Sequence, residues 1–201
     1  KKGKIDFSDV DKSPFSFFMK WFQDALLVDM LDVNACVLST VDNCNTPFSR
    51  VVLLKEVSDK GFVFFTNYDS AKGRDINNNN KVAINFFWPE LERQVRINGV
   101  ANKVSDVLSD KYFEVRPRES KIAAWISSQS SSVSLDTDFN IMRESVVERF
   151  KNKDISRPPY WGGYCVVPER FEFWQGRPSR LHDRLVYFIE EGSWKLERLS
   201  P

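Results

Sequence analysis

The chain of 201 residues holds one histidine, three cysteines and almost no net charge, and each shortage removes a class of function. Cys36, Cys44 and Cys165 are odd in number and lack the paired spacing of a zinc site, so a reduced, cytoplasmic setting is expected. One histidine adds little metal-binding capacity, and no metal is expected. Lys and Arg total 29 against 28 Asp and Glu, a formal charge of +1. That balance lacks the basic footprint of a general nucleic-acid binder, so any anion must be held locally. No apolar run reaches the roughly 18 residues of a membrane span, and the opening "KKGKIDFSDVDKSP" lacks the apolar centre of a signal peptide. A soluble protein without nucleic-acid or membrane partners is expected.

What is present is a chain that is 42% hydrophobic, enough for one compact domain. Residues 1–12 read as a flexible segment and 13–201 as a single domain. In "SPFSFFMKWFQDAL" the apolar residues recur at helical spacing behind Ser13 and Pro14, a cap and a first turn. The stretches "ACVLSTV", "SRVVLLKEV", "GFVFFTN", "KVAINFFW" and "ERQVRINGVANKV" read as strands, joined at first by connections too short for parallel crossovers. Three helical stretches follow, "SDVLSDKYFEV", "RESKIAAWIS" and "DTDFNIMRESVVERFK", with Pro117 separating the first two. Strands return as "GYCVVPE", "RFEFWQG", "RLVYFIEE" and "SWKLERL". The fold class is mainly β with peripheral helices, an antiparallel sheet or barrel.

Four stretches exceed what a generic β domain needs. "RVVLLK" bounds an apolar strand with Arg50 and Lys55. "ERQVRINGV" sets Gln94, Arg96 and Asn98 on one face, either half exposed or lining a wet cavity. "WISSQSSSV" is crowded with hydroxyls and an amide, as a polar loop or a phosphate site would be. Read as a strand, "RPSRLHDRL" places Arg180, His182 and Arg184 on one side, as a solvated edge or as a site for an anionic ligand.

Together "SRVVLLK", "FFTNYDSAKGRDI", "ERQVRINGVANKVS", "YFEVRPRESKIAAWISSQSS" and "PPYWGGYCVVPERFEFWQGRPSRLHDRLVY" closely resemble the pyridoxine/pyridoxamine 5′-phosphate oxidases, from about Ser49 to Pro201. The resemblance implies an FMN-binding split β-barrel and a homodimer with FMN at the interface, residues 158–201 serving dimerisation and the active site. It implies oxidation of pyridoxamine or pyridoxine 5′-phosphate to pyridoxal 5′-phosphate, with dioxygen as acceptor and hydrogen peroxide as product. By motif, FMN contacts fall to Arg50, Val51, Val52, Leu53, Leu54 and Lys55, to Phe65, Thr66 and Lys72, to Gln94, Gln129 and Ser130, and to Trp174 and Arg184. The substrate would meet Lys55, Tyr112, Arg116 and Ser120 at its phosphate and Arg180, Leu181 and His182 at its ring, Arg180 and His182 being the catalytic candidates. Ala71 stands where the family commonly has an arginine beside the flavin phosphate, which implies weaker FMN binding, with Arg74 as a partial substitute. The alternative is a split-barrel flavin reductase acting on another substrate.

Overall fold

The computed structural model describes residues 3–8 and 10–201; Lys1, Lys2 and Asp9 of the expected flexible segment lie outside the described residues. The first helix, α1 (Pro14–Leu26), begins where the sequence places it, with the Ser13 hydroxyl accepting the Ser16 N–H. Nine strands follow in one antiparallel sheet: β1 (Ala35–Val41), β2 (Pro47–Leu53), β3 (Glu56–Ser58), β4 (Gly61–Asn67), β5 (Lys81–Trp88), β6 (Arg93–Lys103), β7 (Trp161–Gln175), β8 (Asp183–Glu190) and β9 (Ser193–Leu199). Helices α2 (Ala71–Asn78), α3 (Asp106–Glu114), α4 (Arg118–Ile126) and α5 (Phe139–Arg149) sit in the connections. The order β2-β1-β5-β6-β7-β4-β3, with β8 and β9 branching from β7, curls into the expected split barrel. Among the described residues no helix is long and apolar enough to cross a membrane.

Cross-strand register explains which face is core. Leu38, Ile84, Ile97, Phe171 and Tyr187 stand opposite one another across β1, β5, β6, β7 and β8, and all are buried. Helix α1 covers this interior: Phe18 packs edge-on to Phe62 and Phe86 at 4.9 and 5.1 Å, and Phe17 and Trp21 meet Phe173. A second cluster of Phe113, Ile122, Phe150, Ile155 and Trp161 fixes α3, α4 and α5 beside the barrel.

Three expectations need correction. The stretches "GYCVVPE" and "RFEFWQG" are one strand, β7, and not two. Pro168 lacks an N–H, and a bulge in β7 beside it accommodates this: Gly99 pairs with Pro168 and Asn98 with Arg170, so the register shifts past Glu169. A Cβ on Gly99 would lie 2.2 Å from the Val167 carbonyl oxygen, so only glycine fits that shift. Conversely "SRVVLLKEV" breaks at Leu54 and Lys55 into β2 and β3. Finally, Arg180 and His182 are not on a strand face with Arg184. Pro178–Arg180 form a 3-10 turn, Ser179 and Arg180 have φ of 59° and 61°, and β8 starts only at Asp183. The turn is closed by the Arg177 N–H donating to His182 Nδ1 at 3.1 Å. In the amino-terminal segment Ile5 is buried and its N–H donates to Asp183, while the Tyr187 hydroxyl donates to the Asp11 carbonyl at 2.6 Å.

Because Phe18 is fully buried at the junction of α1 and the sheet, Phe18→Ala is expected to lower unfolding free energy by about 3–5 kcal/mol. Denaturant titration of the two proteins measures it; a loss below about 1 kcal/mol would mean that α1 does not hold the core.

Candidate active site

A groove of about 560 Å³ opens at the seam where β2 comes near β4, walled on its other side by the α3–α4 corner. It gathers Val51, Val52, Leu53 and Lys55 from the β2 end, Phe65 and Thr66 from β4, Lys72 from α2, Tyr112 and Arg116 from the α3 end, Ser120 from α4, and Gln129 from the loop beyond. The corner owes its shape to Pro117, which cannot continue α3 and caps α4 instead, so the free N–H groups of the first turn of α4 lie beside the groove.

Three cations in this groove have no carboxylate partner among the described residues: Lys55, which is exposed, and Lys72 and Arg116, which are withdrawn from water. Lys72 is 8% exposed, and its Nζ donates to Thr66 Oγ1 at 3.2 Å, Gln129 Oε1 at 3.3 Å and Ser70 Oγ at 3.4 Å, all neutral oxygens. Burial, and then the charge of Arg50, hold its pKa below the ordinary lysine value. Arg116 lies with its guanidinium carbon 4.5 Å above the Trp161 ring; its Nη1 is buried without a hydrogen-bond partner, and burial lowers its pKa as well. Charges left unpaired in this way destabilise the empty protein and favour an anionic ligand.

A second group lies elsewhere on the sheet. Gln94 of β6, Trp174 of β7 and Arg184 of β8 are direct cross-strand neighbours, and the His182 ring packs 4.7 Å from that of Trp174. Arg184 donates to the buried carboxylate of Glu172 at 2.9 Å and to the Ser200 carbonyl at 2.9 Å, and Arg96 donates to the other oxygen of Glu172. Burial raises the Glu172 pKa, but the two arginines outweigh it and hold the group below the ordinary range. Arg180 and Leu181 are exposed on the adjoining turn.

The sequence-predicted residues therefore fall into two separate sets. Trp161 lines the groove and Trp174 belongs to the row; they are thirteen positions apart on one strand, about 40 Å of path at about 3.3 Å per residue. Three predicted residues are outside both sets. Arg50 turns toward Thr40, to which it donates at 2.6 Å, and Asp75 at 3.7 Å; Leu54 is buried; Ser130 is exposed beyond Gln129. Arg74, expected as a partial substitute for an arginine at position 71, is exposed and donates to the Asp69 carbonyl, and it does not line the groove. Nothing in the sequence around Trp161 and Glu172 marks them as site residues; only their neighbours in space, Arg116 for the first and Arg96 and Arg184 for the second, reveal what they hold.

A curled split barrel carrying unneutralised cations in a groove at its seam is a frame for a phosphate-bearing ligand. Residues 24–149 match the family described as Pyridoxamine 5′-phosphate oxidase, and residues 161–201 match the Pyridoxine 5′-phosphate oxidase C-terminal dimerisation region. The chain is 48% identical over 200 residues to Pyridoxine/pyridoxamine 5′-phosphate oxidase 2 of Hydrogenovibrio crunogenus, covering 100% of this chain and 94% of that one. It is 51% identical over 193 residues to the Haemophilus influenzae oxidase, covering 96% and 91%. Among solved structures it is similar to PhzG from Burkholderia lata 383 in complex with tetrahydrophenazine-1-carboxylic acid, with a TM-score of 0.91, 25% identity and coverage of 99% and 100%. The chain belongs to the pyridoxamine 5′-phosphate oxidase family, and its cofactor is FMN. The unpaired Lys72, with Thr66 and Gln129 around it, suits a flavin phosphate, and Gln94 and Trp174 offer an amide and an aromatic face to a flavin ring.

A buried lysine with a lowered pKa takes up fewer protons in the folded than in the unfolded chain. Its penalty is therefore present at neutral pH and fades as pH rises through the folded pKa toward the ordinary 10.5. Lys72→Met is expected to make the flavin-free protein about 1 kcal/mol more stable at pH 7 and to flatten its gain in stability on the alkaline side, while FMN retention falls. Melting temperatures from pH 7 to 10.5 test this, and a variant less stable than the parent without flavin refutes it.

Proposed function

We propose that the protein oxidises pyridoxamine 5′-phosphate and pyridoxine 5′-phosphate to pyridoxal 5′-phosphate, reducing dioxygen to hydrogen peroxide. With the alcohol, two electrons and two protons pass to dioxygen; the amine additionally consumes a water and releases ammonia. The observation that carries this reading is the pair of unneutralised cations withdrawn from water in one groove, buried Lys72 for the flavin phosphate and half-buried Arg116 for the substrate phosphate. Bound FMN supplies the two-electron acceptor that dioxygen reoxidises. The chain itself binds and orients. Lys55, Tyr112, Arg116 and Ser120 hold the substrate phosphate, Val51 to Leu53 back the flavin, and Arg184 and Gln94 contact it from the row. Arg180 polarises the reacting side of the substrate, and His182, whose Nδ1 is already an acceptor for Arg177, presents Nε2 to it.

The separation of groove and row supports a homodimer in which each flavin lies between the groove of one copy and the row of the other. The long path between Trp161 and Trp174 exceeds what one flavin spans, and the match to a dimerisation region points the same way. Mixing denatured Lys72→Met and Arg184→Leu proteins and refolding them with FMN then regenerates one intact site per mixed dimer, about a quarter of parental activity for random pairing. No recovery from the mixture would place both half-sites on one chain.

A second reading, a reductase or oxidase of a carboxylated ring, draws on the likeness to PhzG. The higher identity to the oxidases favours the first. Charge-assisted hydrogen bonds contribute roughly 1.5–3 kcal/mol each, so losing two with the phosphate should lower catalytic efficiency on pyridoxine by at least about a hundredfold. Arg116→Ala should remove much of that preference and leave FMN bound. Peroxide release on pyridoxine and its phosphate by both proteins decides it; equal efficiencies in the parent would favour the second reading.

A further inference from the structure

In both half-sites an arginine is held in place, but by opposite means. Arg184 is fixed by the Glu172 carboxylate, which it shares with Arg96. Arg116 has no acidic partner among the described residues; instead its guanidinium carbon lies 4.5 Å above the Trp161 ring and 5.3 Å from that of Phe113. Trp161 is itself immobilised. It is 7% exposed, nearly parallel to Phe65 at 5.5 Å and to Tyr112 at 6.2 Å, and its carbonyl accepts from Arg157 at 2.7 Å. The groove wall is thus an ordered stack of Tyr112, Phe65 and Trp161 with a cation laid over its end.

A guanidinium stacked on a ring keeps its N–H groups in its own plane, free to meet an anion. A carboxylate would hold it more firmly but would compete with that anion. We propose that Trp161 is a positioning residue for phosphate recognition: its ring fixes Arg116 over the groove while leaving the charge unneutralised for the substrate phosphate. This rests on the reading of the groove as the substrate-phosphate site. Trp161 itself need not touch the reacting atoms.

The test uses the FMN-loaded enzyme, with inorganic phosphate as a competitive inhibitor beside the two substrates. In Trp161→Leu the KM for pyridoxine phosphate and the inhibition constant of phosphate should both rise about tenfold, the size of a desolvated cation–π contact. The value of kcat and the flavin content should move far less, and KM for unphosphorylated pyridoxine should hold. Trp161→Phe, which keeps a ring face, should recover most of the loss. In an Arg116→Ala background Trp161→Leu should add no further rise. An unchanged KM and phosphate inhibition in Trp161→Leu, when Arg116→Ala raises both, would overturn the inference and leave the phosphate site standing. If Arg116→Ala also leaves both unchanged, the phosphate site falls with it. Equal losses with both substrates would make Trp161 merely structural and overturn the inference too. Should Trp161→Leu fail to fold, Trp161→Phe carries the test: a KM increase that disappears in the Arg116→Ala background supports the proposal, and an equal increase in both backgrounds overturns it.

Discussion

Strand β7 must pair along both edges, and most of the architecture follows from that demand. One edge is taken by β6 for nearly its whole length; the other is divided between β4 at the start and β8 at the end. The division branches the sheet, leaves the barrel split and sets the two aromatic ends of the strand apart. Pro168 in its middle is absorbed by a bulge past Glu169. Gly99 opposite makes room for it, because no side chain stands between the two backbones there. A single register shift thus keeps groove and row on one continuous element.

Stability and binding are opposed in the groove. Lys72 and Arg116 are buried enough to feel the loss of water, and their pKa values are lowered accordingly, yet neither is offered a carboxylate. A chain selected for stability alone would neutralise or replace them. On the row the compromise is different, since Glu172 satisfies Arg96 and Arg184 together and is held ionised by them. One half of the site is kept unsatisfied, and the other is settled in advance.

Much of the fold is legible in the sequence because its elements are locally consistent. Strands β1, β4, β5 and β9 follow their apolar runs to the residue, and Ser13 and Pro117 mark helix boundaries by their own chemistry. Errors fall where tertiary pairing overrides a local signal: Pro168 suggests a break that a bulge in β7 absorbs, and the alternating charges of "RPSRLHDRL" suggest a strand that Pro178 and the Arg177–His182 hydrogen bond fold into a turn. Helix α2 is not marked by its sequence, since its asparagine-rich end carries no apolar period. For the site, residue type and motif identify the charged side chains. They do not say whether a charge is already paired, and this distinguishes Arg50, tied to Thr40 and Asp75, from Lys72 and Arg116. Nor does a motif show that Trp161 lies under a guanidinium.

The spine strand also dictates the order in which the chain can complete itself. Phe62 of β4 pairs with Val166, and Ala101 of β6 pairs with the same residue from the other side. During synthesis β4 and β6 therefore wait, each with an open hydrogen-bonding edge, until β7 has been made some hundred residues after β4. Non-local pairing of this kind slows folding and exposes strand edges meanwhile. The hairpin of β1 and β2 and the run from β5 to β6 can form early, but the barrel cannot close, and the seam that holds the groove cannot exist, before β7 arrives. Until β7 is made, the chain carries two strand edges whose partner does not yet exist, and the groove takes shape only with that strand.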